Sequence, residues 1–502
     1  MLSYSLNIIF LHLYSYKEMQ FIKQFITFGI IIGLLSLTLL NQSCNKDSGF
    51  AEGNISLGFS KDTILFDTLF TTIGSSTYTL LVRNNEDKAV KISQLFIAGG
   101  ANSPFRMNVD GISGYKHTDV EIAANDSMYI FVEVTIDPNS GIGPMLQTDS
   151  IIFETNGNIQ DVDLIAYGVD AYFILPNLHI EGLPPINIVA REGVDTTWTN
   201  DKPIVIYGYA VVDSTASLTI EEGTEIYFHT GGGLWVYKGG NIKVNGTLNN
   251  PVTFQGDRPE EYYQNLPGQW DRIWINEGSI DNIINYAIIR NGFIGLQTEL
   301  LSSNMGNKNI ISNTIIENMS GVGILNRAHS IDGENILINN CKQYCLAITL
   351  GGKHEFRHCT FANYWSYDTR KTPTVYINNY FKDNNDVIHP FDLEANFYNT
   401  IVYGGNEEEI IIDNNDDGGT FDFIFDHGLI KSEQDISDAT VWISVLKNQD
   451  PIFESTSNIG NYHIKENSAA IDNGKGGVNP SLDLDGVSRD ASNPDLGAYE
   501  HQ

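Results

Sequence analysis

Aromatic and basic side chains gather in two stretches of this chain, in the combination that proteins use to hold sugars. The first stretch runs from Asp257 to Asp271, with Arg272 next, and the second follows Asn363. Aromatic faces can pack on the C–H surface of a sugar, and Arg or Lys can hold its carboxylate or hydroxyl groups. The predicted ligand-binding residues are Tyr262, Tyr263, Trp270, Arg272, Trp365, Tyr367, Arg370 and Lys371. The alternative is that these aromatic side chains only cover the flank of the fold.

The same stretches contain groups that could cleave a polysaccharide by elimination. A lyase needs a base to remove the proton α to a uronate carboxylate, and a cation or metal to neutralise that carboxylate. Arg370 and Lys371 could supply the charge, and Tyr367 or His354 could serve as the base. The sequence does not fix the geometry of these four residues.

Cleavage by hydrolysis would require two carboxyl groups about 5–10 Å apart. Neighbours one coil apart in a stacked β-fold lie about 4.8 Å from each other. Glu260 with Asp271, or Asp368 with a carboxylate on an adjacent coil, could therefore form such a pair. Aspartate and glutamate together number 62, so pairs of this kind also arise by chance. No residue is assigned a catalytic role.

Three segments invite comparison with metal sites. His354 and His358 are four residues apart, which on a strand would place both on one face, but no third ligand is evident. Positions in a stacked ladder are the favoured interpretation. Segments 413–419 and 483–486 are calcium-like, yet neither has the glutamate that an EF-hand loop requires. The sequence predicts acidic turns, no metal site and no cofactor, with Ca²⁺ at a turn as the alternative.

Three cysteines lie in the second half of the chain, at Cys341, Cys345 and Cys359. They form no CxxC pair and no familiar zinc spacing. Buried stacking between coils is the predicted role, and one disulfide among the three is the alternative for an exported protein.

The balance of charge limits the classes of partner. Lys and Arg number 29 against 62 Asp and Glu, a net charge of −33. Nucleic acid is excluded because its phosphates require a basic surface. Acidic polysaccharide is disfavoured as well, unless a local basic patch or a bridging cation intervenes.

The element that must position these side chains is a repeat. Asparagines follow apolar β-type segments at Asn291, Asn318, Asn340 and Asn363, at intervals of 27, 22 and 23 residues. Such a period is typical of a solenoid, and one coil of a right-handed parallel β-helix has three short strands and three turns. Asparagine tolerates the left-handed turn conformation and can bond to its counterpart in the next coil.

The β-helix is expected over residues 201–502. Gly223, Gly246 and Gly278 are interpreted as one recurring turn, where glycine supplies a positive φ. The stretch 257–271 and roughly 18 extra residues after Asn363 interrupt the repeat as long loops. The tail from Ser468 onward is expected to cap the open end, because a solenoid needs an atypical terminal unit.

Three further segments precede the solenoid. Residues 59–172 show alternating strands separated by turn signals, which predicts an antiparallel β-sandwich. Residues 173–200 are a linker or cap, and 44–58 a short tether. Residues 1–43 combine Lys17 and Lys23 with an apolar run ending before Cys44, which predicts a secretory signal. A single membrane anchor is the alternative, and Met19 is a second candidate start.

These segments together resemble known bacterial proteins. Asn41-Gln42-Ser43-Cys44 resembles a lipobox, which implies that Cys44 is the lipidated first residue of the mature chain. The sandwich resembles immunoglobulin-like modules of exported proteins, and the tail resembles the ending of secreted β-helix proteins. The whole mature chain resembles Gram-negative lipoproteins that join such a module to a right-handed parallel β-helix of the pectate-lyase-like superfamily.

The resemblance implies an all-β protein anchored by lipid in the outer membrane and facing the periplasm or the cell surface. The expected function is non-catalytic binding of a glycan or another envelope partner by a monomer that binds no nucleic acid. The alternatives are a polysaccharide lyase or glycoside hydrolase working in a groove along the β-helix, and a structural stalk without a ligand.

Overall fold

The computed structural model describes residues 49–71, 74–137, 145–258, 262–299, 308–415, 418–457 and 460–502. The described chain is all-β apart from one 3₁₀ turn at Gly100–Asn102, as predicted. The predicted signal segment 1–43 and Cys44 lie outside the described residues. No helix in the described part of the chain is long and apolar enough to span a membrane.

The N-terminal region contains ten strands in two five-stranded sheets. They are β1 Gly58–Phe59, β2 Thr63–Phe70, β3 Tyr78–Arg83, β4 Val90–Ile97, β5 Phe105–Val109, β6 Ile112–Gly114, β7 Lys116–Ile122, β8 Ser127–Val134, β9 Met145–Thr155 and β10 Asn158–Val169. The orders are β1-β3-β8-β5-β6 and β2-β10-β9-β4-β7. Strand pairs such as β3–β8 and β4–β9 are antiparallel, and β8 alternates buried and exposed residues. This agrees with the predicted sandwich.

The second region, from residue 165 onward, contains the remaining strands. They are β11 Tyr172–Ile174, β12 Ile186–Ala190, β13 Asp195–Trp198, β14 Ile204–Ile206, β15 Tyr209–Val212, β16 Ser217–Glu221, β17 Glu225–Phe228, β18 Gly233–Val236, β19 Asn241–Asn245, β20 Val252–Gly256, β21 Trp270–Ile275, β22 Ile283–Asn285, β23 Ala287–Arg290, β24 Gly292–Glu299, β25 Lys308–Met319, β26 Val322–Arg327, β27 Ser330–Cys341, β28 Leu346–Thr349, β29 Gly352–Arg357, β30 Thr360–Asn363, β31 Val375–Asn378, β32 Tyr380–Lys382, β33 Ile388–Pro390, β34 Leu393–Gly404, β35 Ile410–Asp413, β36 Phe421–Ile430, β37 Trp442–Lys447, β38 Phe453–Ser455 and β39 Asn461–Ile464.

These strands wind into a parallel β-helix with three faces. Face A stacks β12-β15-β18-β21-β24-β26-β28-β31-β35. Face B stacks β13, β16, β19 and β22, the first halves of β25 and β27, then β29 and the first halves of β34 and β36. Face C stacks β11, β14, β17, β20 and β23, the second halves of β25 and β27, then β30, the second halves of β34 and β36, and β37. The stacked pairs are parallel and in register, as the repeat predicted.

Side chains that point inward form one continuous core along the coils. Near the C-terminal end, Phe356, Phe397, Phe425 and Trp442 stack with ring centroids 5.1, 4.3 and 5.1 Å apart. Each such pair adds about 0.5–1.5 kcal/mol beyond the burial of its area. Like side chains therefore stack on like side chains, which keeps successive coils in register.

The predicted asparagine ladder is present at the corner between faces C and A. Asn291, Asn318 and Asn340 have positive φ values of 63°, 59° and 49°. The Asn318 side-chain amide donates to the Asn291 side-chain oxygen at 2.7 Å. Asn363 stacks in the same register but bonds to the backbone of Cys341, at 2.8 and 3.1 Å.

A second ladder, between faces B and C, was not predicted. Asn313, Asn335, His358, Asn399 and His427 all have positive φ, and the Asn335 amide donates to the Asn313 oxygen at 3.0 Å. The pattern is harder to detect because histidine replaces asparagine in two coils. His358 is thus a ladder residue, at a turn beyond the end of its strand.

Glycine turns correct one part of the predicted repeat. Gly223 and Gly246 occupy equivalent corners between faces B and C, but Gly278 lies at the corner between faces A and B. Gly223 and Gly278 have positive φ, whereas Gly246 does not. At Gly246 an added Cβ would lie 2.1 Å from the Tyr286 carbonyl oxygen, so close packing explains that glycine.

The C-terminal tail lies along the side of the coils, whereas the sequence suggested a cap over the open end. Tyr462 packs with Leu337 and Ile401 on the outside of face C. The Arg489 guanidinium donates to the Asn335 side chain at 2.9 Å, and the Ala498 amide donates to the Thr360 hydroxyl at 2.9 Å.

All three cysteines, Cys341, Cys345 and Cys359, are buried free thiols. Burial in the coil core is what their spacing predicted. The alternative disulfide among them is not formed in this structure.

Candidate functional site

Both long loops leave the solenoid at the same corner. The first connects β20 to β21 and the second connects β30 to β31, so each joins face C to face A. The Tyr367 hydroxyl of the second loop donates to the Asn265 carbonyl oxygen of the first. The Asn318 amide donates to that same oxygen at 2.8 Å. The ladder thus holds the loops against each other, and residues 262–269 and 364–372 are together called the loop ridge.

Six of the predicted ligand-binding residues lie on the loop ridge, and four of the six are aromatic. Tyr262 is 77% exposed and meets Tyr263 edge to face at 5.1 Å. Trp365 lies 4.8 Å from Tyr367, and its indole nitrogen donates to Asp368 at 2.7 Å. Each loop thus contributes one aromatic pair, and the hydrogen bond from Tyr367 to Asn265 joins the two loops.

Trp270, another predicted contact, belongs to the core. Its side chain is 1% exposed, stacks on Phe228 at 4.4 Å and donates to the Arg290 carbonyl oxygen at 2.9 Å. The first loop was expected to continue to Asp271, but β21 begins at Trp270, which points inward. A ring in this position has no free face to present to a ligand.

Arg370 is a structural anchor of the second loop. Its side chain is 3% exposed and forms a two-pronged ion pair with the fully buried Glu409, at 2.6 and 2.8 Å. It also donates to the Asn363 carbonyl oxygen at 2.9 Å. Thr374 gives Glu409 two more hydrogen bonds, from its amide and its hydroxyl. The neighbouring Lys371 is exposed.

Arg272 lies on the outer surface of face A, away from the ridge aromatics. It forms an ion pair with Asp271 at 2.8 Å and donates to Gln297, whose amide reaches Glu299. Arg327 contacts Glu299 at 3.2 Å. Asp271 and Glu299 thus serve a polar network that crosses three coils.

A polar cavity of about 290 Å³ lies between the first loop and the outer surface of face C. Its lining residues are Tyr227, Gln255, Gly256, Arg258, Gln264, Asn265, Gln269, Arg290 and Asn291. The sequence analysis missed most of them because Tyr227, Gln255 and Arg290 are single outward-facing residues of separate strands. Only the register of the strands could have identified them together, because β17, β20 and β23 stack in adjacent coils.

Hydrogen bonds preorganise this cavity. Arg290 donates to the Gln255 side-chain oxygen through two nitrogens, at 2.9 and 2.7 Å. The Asn291 amide donates to the Gln264 carbonyl oxygen at 2.7 Å, and the Gln269 amide to that of Tyr263 at 2.6 Å. The ladder asparagine therefore holds the loop over the cavity.

The cavity lining offers hydrogen-bonding groups and no carboxylate or imidazole within the described residues. Burial, with a smaller contribution from Glu225, raises the pKa of Tyr227 well above its usual value. The phenol therefore stays protonated near neutral pH. Amides, guanidinium groups and a phenol can bind hydroxyl groups, but none of them is a strong base at that pH.

Three of the four residues considered for a lyase do not assemble, and the fourth, Lys371, is an exposed residue of the loop ridge. His354 is inside the solenoid, where burial lowers its pKa to about 4. Burial raises the pKa of Tyr367 on the ridge, and Arg370 is committed to Glu409. The two candidate bases, His354 and Tyr367, and the candidate cation Arg370 therefore lie in three different environments.

The hydrolase pairs are no better placed. Asp368 is held by Lys342 at 2.6 Å and by Trp365, which lower its pKa. Asp271 is held by Arg272. Glu260 lies outside the described residues. A general acid needs a raised pKa, and the pKa of Asp368 is instead lowered.

In the calcium-like segments, Asp413 and Asp483 accept hydrogen bonds from within the protein, and Asp416 and Asp417 lie outside the described residues. Asp413 accepts hydrogen bonds from the hydroxyls of Tyr376 at 2.7 Å and Tyr380 at 3.0 Å. Asp483 accepts from the amides of Asp485 at 2.9 Å and Val487 at 2.7 Å. No group of three or more His, Cys, Asp or Glu close enough to hold a metal occurs in the described parts of the chain.

No family model and no curated protein matches the chain. Among solved structures, a family 123 glycoside hydrolase from Clostridium perfringens shares 8% identity over 24% of this chain, with a TM-score of 0.17. The match spans only 30% of that protein. A GH87 α-1,3-glucanase catalytic domain in complex with nigerose shares 10% identity over 71% of this chain and 82% of its own, with a TM-score of 0.19. The catalytic unit of the GH87 α-1,3-glucanase from Streptomyces thermodiastaticus shares 10% identity over 72% of this chain and 91% of its own, with a TM-score of 0.14. Likeness this low carries no inference about activity.

Proposed function

We propose that this protein binds a glycan at the loop ridge and the adjoining cavity without cleaving it. The observation that carries the proposal is the composition of the cavity lining. Five amide side chains, two arginines and a tyrosine surround about 290 Å³ of space beside exposed aromatic rings. Amides both donate and accept hydrogen bonds, so together they can match the hydroxyl groups of a sugar.

The size of the cavity suits part of a glycan chain. Pockets for small molecules usually measure about 300–1,000 Å³, so this cavity is at the lower limit. It would accept one sugar unit, while neighbouring units pack on Tyr262, Trp365 and Tyr367. Tyr262 and Tyr367 are exposed and Trp365 is half-buried, and the face of each ring can pack on the C–H groups of a sugar while its polar group reaches water.

The absence of a base from the described lining favours binding over catalysis. Elimination needs a base beside the bound sugar and hydrolysis needs two carboxyl groups. A glycoside hydrolase or lyase remains the second candidate function, supported by the fold alone.

Lipid attachment at Cys44 and location in the outer membrane, facing the periplasm or the cell surface, are further parts of the proposal. They rest on the N-terminal sequence.

The test is a polysaccharide panel that measures retention of the protein together with release of reducing or unsaturated ends. We expect retention on at least one polysaccharide without new chain ends. Tyr262→Ala should weaken that binding at least about tenfold, which corresponds to about 1.4 kcal/mol. Tyr129→Ala, which removes a 57% exposed tyrosine from β8, is the matched control and should bind normally. Release of chain ends by wild type would overturn the non-catalytic part of the proposal, and retention on none of the panel would overturn it entirely.

A further inference from the structure

We infer that the cavity selects a glycan carrying an oxyanion, either a carboxylate or a sulfate, which Arg290 and Arg258 hold together. This inference rests on the proposed function and names the class of ligand. Two guanidinium groups line one cavity of about 290 Å³, and no Asp or Glu is among its described lining residues. In a chain with a net charge of −33, this is the local basic patch that an acidic glycan requires.

Arg290 is fixed in a position suited to this role. Its Nε and one terminal nitrogen donate to Gln255 at 2.9 and 2.7 Å. The other terminal nitrogen, Nη1, donates to no residue that the structure describes. The backbone of Arg290 is also fixed, because its carbonyl oxygen accepts from the buried Trp270 indole. A preorganised guanidinium loses little entropy when an anion binds.

Arg258 enters the same cavity from the loop side. Its guanidinium lies 4.0 Å from the centre of the Tyr263 ring, a cation–π contact that restricts its orientation. Beside it, the side-chain oxygen of Gln269 is buried and accepts no hydrogen bond from the described residues. An acceptor of this kind is satisfied by a sugar hydroxyl, so the site provides for the anion and for the sugar that carries it.

Carboxylates near the cavity are already paired. Asp257 precedes Arg258 and bonds to the His229 imidazole at 2.7 Å. Glu317 is the in-register neighbour of Arg290 in the next coil, and burial raises the pKa of Glu317 while the Arg290 charge opposes that rise. These acidic groups reduce the positive charge of the surroundings without occupying the cavity.

The experiment compares charged and neutral forms of the same polymer with the purified full chain. Polygalacturonate is paired with its methyl ester, and dextran sulfate with dextran, so that each pair differs only in charge. Affinity is measured for wild type, Arg290→Gln and Arg327→Gln. Arg327 is the matched control because it is an exposed arginine of face A, paired to Glu299.

We expect the charged form of at least one pair to bind about tenfold more tightly than its neutral form or better, since charge-assisted hydrogen bonds are the strong ones. Arg290→Gln should abolish that preference and Arg327→Gln should retain it. The responding pair identifies the anion as carboxylate or sulfate.

Three results would overturn the inference. If charged and neutral forms bind equally and Tyr262→Ala abolishes this binding, selection by an oxyanion is refuted but glycan binding at the loop ridge is not. A preference for charge that survives Arg290→Gln would place the anion elsewhere. Binding to none of the four polymers would count against the proposed function as well.

Discussion

Two arginines beside the loops have opposite roles because they differ in burial. Arg370 is enclosed and bonds to Glu409 and to backbone oxygens, whereas Arg290 is half-buried and one of its terminal nitrogens donates to no described residue. The sequence ranked Arg370 as a ligand contact because it stands in a polar loop. The structural role of Arg370 becomes evident only from its ion pair with Glu409, which is distant in the sequence.

Removal of the Arg370 side chain should destabilise the protein severely. Arg370→Ala leaves the Glu409 carboxylate buried without its counter-charge, so we expect a loss of about 3–5 kcal/mol in the free energy of unfolding. Urea denaturation measures this loss, with Lys371→Ala as the control that should change stability little. Arg370→Met combined with Glu409→Gln should recover part of the loss. Equal stability of Arg370→Ala and wild type would contradict the buried ion pair.

Buried histidines should make stability depend on pH. Burial lowers the pKa of His354 from 6.5 to about 4 in the folded protein. Above pH 6.5 the imidazole is neutral in both states, and between pH 6.5 and 4 only the unfolded chain takes up the proton. Stability therefore falls as pH drops through this window, by about 3 kcal/mol for this residue.

Denaturation at pH 7 and pH 4.5 measures this dependence. His354→Leu should reduce the difference between the two pH values, whereas substitution of the exposed His179 should not. An unchanged difference in His354→Leu would show that the imidazole is not excluded from water.

At the scale of the elements, periodic residues made the solenoid predictable. Asn291, Asn318 and Asn340 recur because each coil needs a left-handed turn at the same corner, and the interval between them gives the coil length. The first loop was located correctly, whereas the extra residues after Asn363 divide between the β30–β31 connection and the β32–β33 hairpin at a different corner. The loop residues that would face a ligand were less predictable, because a strand boundary shifted by two residues moved Trp270 from loop to core.

The cavity itself could not be predicted from local sequence. Tyr227, Gln255 and Arg290 belong to three coils and become neighbours only through the register of face C. A constant sequence interval does not reveal which of these residues stack, because the first loop adds residues between β20 and β21. The second ladder was missed for a related reason, because His358 and His427 occupy asparagine positions.

Breaking the asparagine ladder should loosen the loop ridge. Asn318→Ala removes a residue suited to a φ of 59° and two hydrogen bonds, to Asn291 and to the Asn265 carbonyl. We expect a loss of roughly 1–3 kcal/mol and faster proteolysis within 262–269. Asn318→Gly tolerates the φ, so it should cost less stability while loosening the loop equally. Unchanged proteolysis in both variants would show that the ladder does not hold the loop.

At the scale of the whole molecule, an acidic chain combines a β-sandwich with a parallel β-helix whose loops form one polar and aromatic site. The net charge of −33 keeps most of the surface unsuited to polyanions. Under the proposed function, the local arrangement of two arginines, rather than the overall charge, would determine which glycan is accepted.

Attachment to the membrane follows from the proposed lipidation of Cys44. Cys44→Ala should move the protein from the membrane fraction to the soluble fraction, since the acyl chains supply the binding energy. Fractionation with labelled fatty acid measures both effects, and Cys341→Ala is the control because Cys341 is buried. Retention of Cys44→Ala in the membrane without label would favour a membrane-spanning anchor instead.

Hydrogen exchange with and without a retained glycan tests the central claim most directly. The claim is that two loops about 100 residues apart form a single binding site. We predict slower exchange in both 262–269 and 364–372 when the glycan is bound, with no change in the hairpin of β32 and β33. Slower exchange confined to face A or to the sandwich, with both loops unaffected, would contradict the claim.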